Sequence, residues 1–238
     1  MKLLTLIIAI LFACPVSLQA FTIPETLRYR LMYADIKVGE SSLNIDKEGD
    51  NIVIKSEANS SGVISILYNV KDRVKSTLKI GGDGAFIPLI YRINLYEGGY
   101  KRDKEVIFET NLNRVLYQDF LDKTKEYIEL PPNLVDPLIS IYVLRNRELV
   151  VGRSEFVRIF DSKKEWNVEV LVLRKETVKT PAGVFDTIVI RPLMESEGIF
   201  KRTGPMDIYI TDDAKKIPVR LLTKVTLGTV IAELIEIK

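Results

Sequence analysis

Leu27-Arg28-Tyr29-Arg30-Leu31-Met32-Tyr33 decides the fold class. Leu27, Tyr29, Leu31 and Tyr33 occupy every second position, with Arg28 and Arg30 between them. A period of two puts the apolar set on one face of a β-strand and the arginines on the other. The same alternation returns in Met206, Ile208 and Ile210, in Ile217, Val219 and Leu221 around Arg220 with Lys224 nearby, and from Thr229 to Ile237. Turn-forming clusters separate the apolar stretches: Gly49-Asp50-Asn51, Gly81-Gly82-Asp83-Gly84, Gly98-Gly99, Asp161-Ser162-Lys163-Lys164 and Asp212-Asp213. Short strands with frequent turns and few helical breaks read as an antiparallel meander. Val168 to Leu173 and Thr187 to Ile190 are apolar on both faces, so they are expected to be covered on two sides by a helix, a loop or a curled neighbouring sheet.

Two segments read as short helices. Gly62 to Tyr68 is the first, with Ser60 or Ser61 as its N-cap. The second has Asp136 as N-cap and Pro137 at its first position, followed by Leu138, Ile141, Tyr142 and Leu144 at helical spacing. Arg145 and Arg147 close it, where cations suit the helix dipole. The expected fold is mainly β: a strongly curved antiparallel sheet or half-open β-barrel, with the two short helices on or in its concave side. Pro131-Pro132-Asn133 leads into the second helix, and strands of the same character lie on both sides of it. Residues 21–238 therefore read as a single β-rich domain.

Residues 1–20 read as a signal peptide: Lys2, an apolar run from Leu3 to Ala13, then Cys14-Pro15 and a small residue at Ala20. The run is too short for a membrane helix, which needs roughly 20 apolar residues, and Pro15 would break it. A cut after Ala20 makes Phe21 the first mature residue, with Leu18 bulky for its place before the cut. A second reading takes Leu11-Phe12-Ala13-Cys14 as a lipoprotein box and acylates Cys14, which would anchor the protein to a membrane; Phe12 fits that box badly. Either reading places the protein in the periplasm. No other apolar run is long enough to span a bilayer.

The charge balance excludes several function classes. There are 34 Lys and Arg against 32 Asp and Glu, a net charge of +2, with the signs interspersed. That gives no electrostatic reason to expect nucleic acid. Cys14 is the single cysteine, so a chain cut after Ala20 has no disulfide framework. There is no histidine, which rules out Ser-His-Asp and Cys-His catalysis and every His-containing zinc site.

The remaining polar clusters have plain structural readings. Asp212-Asp213 reads as a hairpin turn rather than a metal pair. Glu195 and Glu197 share a face if the strand continues, but no opposing carboxylate completes a glycosidase pair. Asp136 and Arg145 read as a cap and a dipole-compensating cation rather than a pocket mouth. Gly81 to Gly84 lacks phosphate-loop spacing. Tyr91, Tyr96, Tyr100, Tyr117 and Tyr127 lie along the central strands, either as ordinary strand residues or as contacts for a lipid or peptide. No catalytic, cofactor-binding or metal-ligating residue is assigned.

Four stretches carry a family resemblance: Gly84-Ala85-Phe86-Ile87-Pro88-Leu89-Ile90-Tyr91, Asp136-Pro137-Leu138-Ile139-Ser140-Ile141-Tyr142-Val143-Leu144-Arg145, Thr180-Pro181-Ala182-Gly183-Val184-Phe185-Asp186, and Ile208 to Asp213 running through Ile217-Pro218-Val219 to Gly228. In order and spacing they resemble the exported bacterial family called domain of unknown function 3108, over most of the chain. The resemblance implies a secreted domain with a strongly curved sheet, similar to the periplasmic lipoprotein carriers of the LolA and LolB type. It implies no activity. In such a bacterial chain the glycosylation pattern Asn59-Ser60-Ser61 reads as a helix cap. The expected function is a non-catalytic binding or carrier protein for a lipid, an acylated protein or another apolar ligand. Its cavity is expected between the helices, at Leu138, Ile141, Tyr142, Ile64 and Leu67. The alternative is a structural or adaptor protein of the cell envelope that recruits other envelope proteins through a sheet edge or loop. An enzyme would need a polar cleft with convergent carboxylates.

Overall fold

The computed structural model describes residues 21–62, 65, 68–193, 205–225 and 228–238. The leader, Ile64 and Leu67 with most of the first expected helix, and the Glu195 and Glu197 pair lie outside the described residues. Fourteen strands form one sheet: β1 (Glu25–Tyr33), β2 (Ile36–Glu48), β3 (Asn51–Ser60), β4 (Lys71–Ile80), β5 (Phe86–Glu97), β6 (Tyr100–Glu109), β7 (Arg114–Asp119), β8 (Thr124–Glu129), β9 (Ser154–Asp161), β10 (Lys164–Thr180), β11 (Gly183–Leu193), β12 (Met206–Thr211), β13 (Pro218–Val225) and β14 (Gly228–Ile237). A helix, α1 (Pro137–Arg145), lies between β8 and β9 in sequence.

The strand order is β8-β7-β6-β5-β4-β3-β2-β1-β14-β13-β12-β11-β10-β9. Apart from β8 and β9, strands consecutive in sequence therefore pair antiparallel, and β1 pairs with β14 to join the two ends of the chain mid-sheet. The succession breaks at one step, between β8 and β9, where the chain carries α1 instead of a hairpin turn. The sheet curls until these two ends meet through side chains. Lys163 Nζ lies 2.6 Å from Glu126 Oε1, Arg102 donates to Ser162 Oγ at 2.7 Å, and the rings of Phe108 and Phe160 meet edge to face at 6.3 Å. The result is a curled, half-open sheet that stops short of a closed barrel, as the alternation of the strands leads one to expect.

The connection between β8 and β9 folds inward. After Pro131-Pro132, Val135 lies parallel to the outer edge of β9; its N–H donates to the Arg158 carbonyl and its carbonyl accepts from Phe160 N–H. α1 then packs against β9, β3, β4 and β5. It buries Leu138, Ile139, Tyr142, Leu144 and Arg145, the apolar members contributing roughly 1.5–3 kcal/mol each. They join one core with Leu27, Ile45, Ile54 and Leu78 from the first half of the sheet and with Phe160, Val189, Val219 and Leu234 from the second.

Both ends of α1 are tied down by charge. Asp136 is the N-cap: its Oδ1 accepts from Leu138 N–H at 2.9 Å and Ile139 N–H at 3.0 Å, while Oδ2 accepts from the Ser76 hydroxyl of β4. At the other end, the fully enclosed Arg145 makes a bidentate pair with Glu25 of β1, at 2.6 and 2.8 Å. It also donates to the Lys215 carbonyl at 3.0 Å and lies over the Phe21 and Tyr142 rings. Asp136 and Arg145 thus sit in the core rather than at a pocket mouth.

Some local expectations take a different form in the structure. Ile188, Val189 and Ile190 are all buried, as a strand apolar on both faces requires. The second face is covered partly by side chains of the same sheet. Tyr209 lies opposite Val189, its hydroxyl 3.4 Å from Arg174, with the Arg220 guanidinium 6.0 Å from its ring. The Arg220 guanidinium that helps to cover this face donates to the Lys179 carbonyl and to Glu233. Ser60 belongs to β3, and its hydroxyl accepts from Val70 N–H at 2.9 Å, so it clamps the chain across the β3–β4 connection. Asp213 orders the turn after β12 by accepting from Thr211 Oγ1 and from the N–H groups of Lys215 and Lys216.

Two outcomes follow from the anchoring of α1. Arg145→Met leaves Glu25 buried without its partner, and the unfolding free energy in urea should fall by about 3–5 kcal/mol. Burial also pushes the Asp136 carboxyl up to about 6, against the pull of its hydrogen bonds from Ser76, Ile139 and Leu138. The folded state therefore holds that proton more tightly than the unfolded chain, and stability rises as pH falls from above 6 towards 4. Asp136→Asn keeps a capping side chain but has no proton to gain. Denaturation at pH 7 and pH 4 should show the wild type gaining up to about 3 kcal/mol relative to the Asn variant, at 1.36 kcal/mol per pH unit.

Candidate functional site

Among the described residues, a cleft of about 270 Å³ opens at the end of the sheet where β5 begins. Its walls come from three places. The start of β5 supplies Phe86, Ile87 and Pro88; the end of β6, its connection to β7 and the first residue of β7 supply Phe108, Thr110, Asn113 and Arg114; the inward-folding connection supplies Leu130, Pro131, Pro132, Asn133 and Leu134. Phe108, Leu130 and Leu134 are buried, whereas Ile87 is about one-third exposed at 36%. The cleft exists because Pro131 and Pro132 cannot donate to a ladder and so carry the chain away from β7 after β8 ends. Leu130 N–H still donates to the Asn113 carbonyl at 2.7 Å, and the separation widens beyond it. Asn113, in a left-handed conformation with φ 49°, turns the chain tightly from the preceding 3₁₀ turn into β7.

The polar side of the cleft is formed by Thr110, Asn113 and Arg114. Arg114 Nε lies 2.5 Å from Glu109 Oε2, and its guanidinium stacks 4.1 Å from the centre of the Tyr127 ring. A more open hollow of about 670 Å³ continues outward, shared by Asn113, Arg114, Leu130 and Pro131 and adding Leu112 and Glu129. Leu112 is 60% exposed. The chemistry on offer is an apolar seat with a neutralised cation and two neutral polar groups beside it. It holds no nucleophile with an adjacent base and no facing carboxylates.

Of the residues expected to form a cavity, Leu138, Ile141 and Tyr142 lie among the described ones. Leu138 and Tyr142 are buried in the core and Ile141 is half-buried; none of the three lines the cleft. Tyr142 is linked to it through two rings. It meets Phe21 edge-on at 4.8 Å, and Phe21 stacks at 6.1 Å on Phe86, which lines the cleft. Of the strand tyrosines, Tyr91 and Tyr117 are buried, with burial pushing the Tyr91 hydroxyl well above its ordinary value. Tyr127 is 56% exposed. The lining residues Phe86, Phe108, Leu130 and Leu134 escaped the sequence reading because each is also an ordinary core residue. The doubled proline between Leu130 and Leu134 was the available signal.

The most perturbed surface carboxyls lie at the far end of β5. Burial, and then the Asp72 carboxylate beside it, push Glu97 up to about 7, while Arg102 pulls the other way. Burial also raises Asp72, whose Oδ1 accepts from Tyr96 N–H at 3.2 Å. This half-buried pair lines neither hollow. Among the described residues no group of three or more Asp, Glu, His or Cys could hold a metal ion, and no helix is long and apolar enough to cross a membrane.

A solved structure shows the same architecture. A β-barrel-like protein of domain of unknown function DUF1849 from Brucella abortus matches with a TM-score of 0.54 at 10% identity, over 91% of this chain and 97% of that one. At that identity the likeness shows the fold alone. A candidate lipoprotein from Parabacteroides distasonis (TM-score 0.34, 13% identity, 91% of this chain and 96% of that one) and a candidate exported protein with a YmcC-like fold from Bacteroides fragilis (0.33, 12%, 91% and 96%) are more distant. No curated protein matches the chain. The sequence profile described as "Protein of unknown function (DUF3108)" matches residues 28–235, from within β1 to near the end of β14, and the chain belongs to that family.

Proposed function

We propose that this chain is an exported, non-catalytic binding protein of the bacterial periplasm that seats the end of an acyl chain in the cleft beside β5. The observation that carries this reading is the apolar lining of that cleft: Phe86, Pro88, Phe108, Leu130 and Leu134, open to solvent past Ile87. Its volume of about 270 Å³ lies just under the roughly 300–1,000 Å³ of typical small-molecule pockets. It therefore receives part of a chain, with the rest of the lipid or acylated protein outside, near Thr110, Asn113 and Arg114. The described interior of the sheet is filled by α1 and Phe21, so the seat lies at the end of the barrel rather than within it.

Native mass spectrometry of the secreted protein, incubated separately with a long-chain fatty acid, a diacyl phospholipid and an acylated peptide, tests this. At least one acyl species should add at one-to-one stoichiometry, and the pattern of adducts separates lipid from acylated protein. Ile87→Arg puts a charge at the exposed lip and should weaken binding by about tenfold or more, about 1.4 kcal/mol, with the unfolding midpoint unchanged. Ile36→Arg, at a 66% exposed position remote from the cleft, should bind as the wild type does. No adduct with any acyl species, or equal binding by Ile87→Arg, contradicts the reading.

A further inference from the structure

The two ends of the curled sheet differ in how their edges are used. The edge of β9 is occupied: Val135 bonds to it, and Arg147 donates to the Phe156 carbonyl at 2.7 Å. The edge of β8 has no backbone partner among the described residues beyond β7. In the β7–β8 ladder Leu130 N–H points to Asn113. Backbone groups alternate sides along an antiparallel strand, so those of Lys125, Tyr127 and Glu129 point away from β7. Their side chains share the face opposite to that of Glu126 and Ile128. Lys125 and Glu129 are exposed and have no ion-pair partner among the described residues, whereas neighbouring charges do: Glu126 pairs with Lys163 and Glu109 with Arg114.

The outward positions Lys125, Tyr127 and Glu129 are complementary to themselves when the strand is reversed. We infer that β8 docks against β8 of a second copy of this chain, antiparallel, about a twofold axis through Tyr127. In that register Lys125 faces Glu129 of the other copy, Tyr127 faces Tyr127, and Glu129 faces Lys125. These are the positions whose backbone groups point outward, so each facing pair exchanges both of its N–H to carbonyl bonds. Each unpaired charge meets its opposite directly across the ladder. The two Tyr127 rings, each already backed by Arg114, come together at the centre. The interface is isologous and closes on itself, so it ends at the dimer rather than extending into a fibre. It is a small contact, which makes the dimer a reversible one.

Sedimentation equilibrium of the secreted protein across a range of concentrations tests the dimer. The wild type should show a concentration-dependent monomer–dimer equilibrium. Lys125→Glu sets like charges against each other and should weaken dimerisation at least about tenfold, and the double variant Lys125→Glu/Glu129→Lys should restore it. Lys125→Glu mixed with Glu129→Lys should pair with each other in preference to themselves. Tyr127→Pro removes an outward N–H that β7 does not use and should give a folded monomer, judged by an unchanged circular dichroism spectrum. A wild type that sediments as a monomer throughout overturns the inference. So does a dimer that Lys125→Glu leaves intact, or one that the charge exchange fails to rescue.

Discussion

A guanidinium with no solvent exposure is among the most demanding groups a protein can bury, and Arg145 is such a group. Its position is acceptable because Glu25 meets it with both carboxylate oxygens, the Lys215 carbonyl takes further N–H groups, and the Phe21 and Tyr142 rings close over it. This one cluster brings together the end of α1, the start of β1, the turn between β12 and β13 and the segment that leads into the domain. A rotated or displaced helix would strand the charge, so the pair fixes where α1 lies. The Asp136 cap and its bond to Ser76 fix the other end against β4. With both ends set, the chain between β8 and β9 runs inside the curl instead of making a hairpin across it. The barrel stays open at that step for this reason.

That arrangement decides which surfaces remain for function. The interior of the curl is occupied, among the described residues, by Leu138, Ile139, Tyr142 and Phe21. What remains is peripheral: the cleft that Pro131 and Pro132 hold open beside β5, and the edge of β8 that the inward-folding connection leaves uncovered. Both come from the same break in the strand succession. The Asp72 and Glu97 carboxyls, at the other end of β5, belong to neither surface.

Much of the fold was legible in the residues. The period of two in Leu27 to Tyr33 gives β1, its arginines paired on the outer face with Glu233 and Glu236 of β14. Asp136, Pro137 and Arg145 give α1 with its ends at Pro137 and Arg145. The curvature was expected, but the step at which the curl opens was not legible, because it depends on the Arg145–Glu25 contact between residues 120 apart in sequence. Local spacing carries no trace of such a contact. The cleft was hidden for a related reason. Phe86, Phe108, Leu130 and Leu134 are each a common core residue, and only the packing that leaves a gap among them makes a site. The cavity expected around Leu138, Ile141 and Tyr142 followed from the apolar face of the helix. That face cannot say by itself whether it covers a ligand or the core.

The account rests on α1 being a fixed part of the core, and amide hydrogen exchange on the free protein tests that directly. The N–H groups of Ser140 to Arg145 should exchange as slowly as those of β1 and β14, through global unfolding, because the helix cannot leave without exposing Arg145 and Glu25. Exchange of the helix well ahead of those strands would contradict the account. It would mean that α1 departs from a sheet that stays folded, and that the interior opens as a chamber after all.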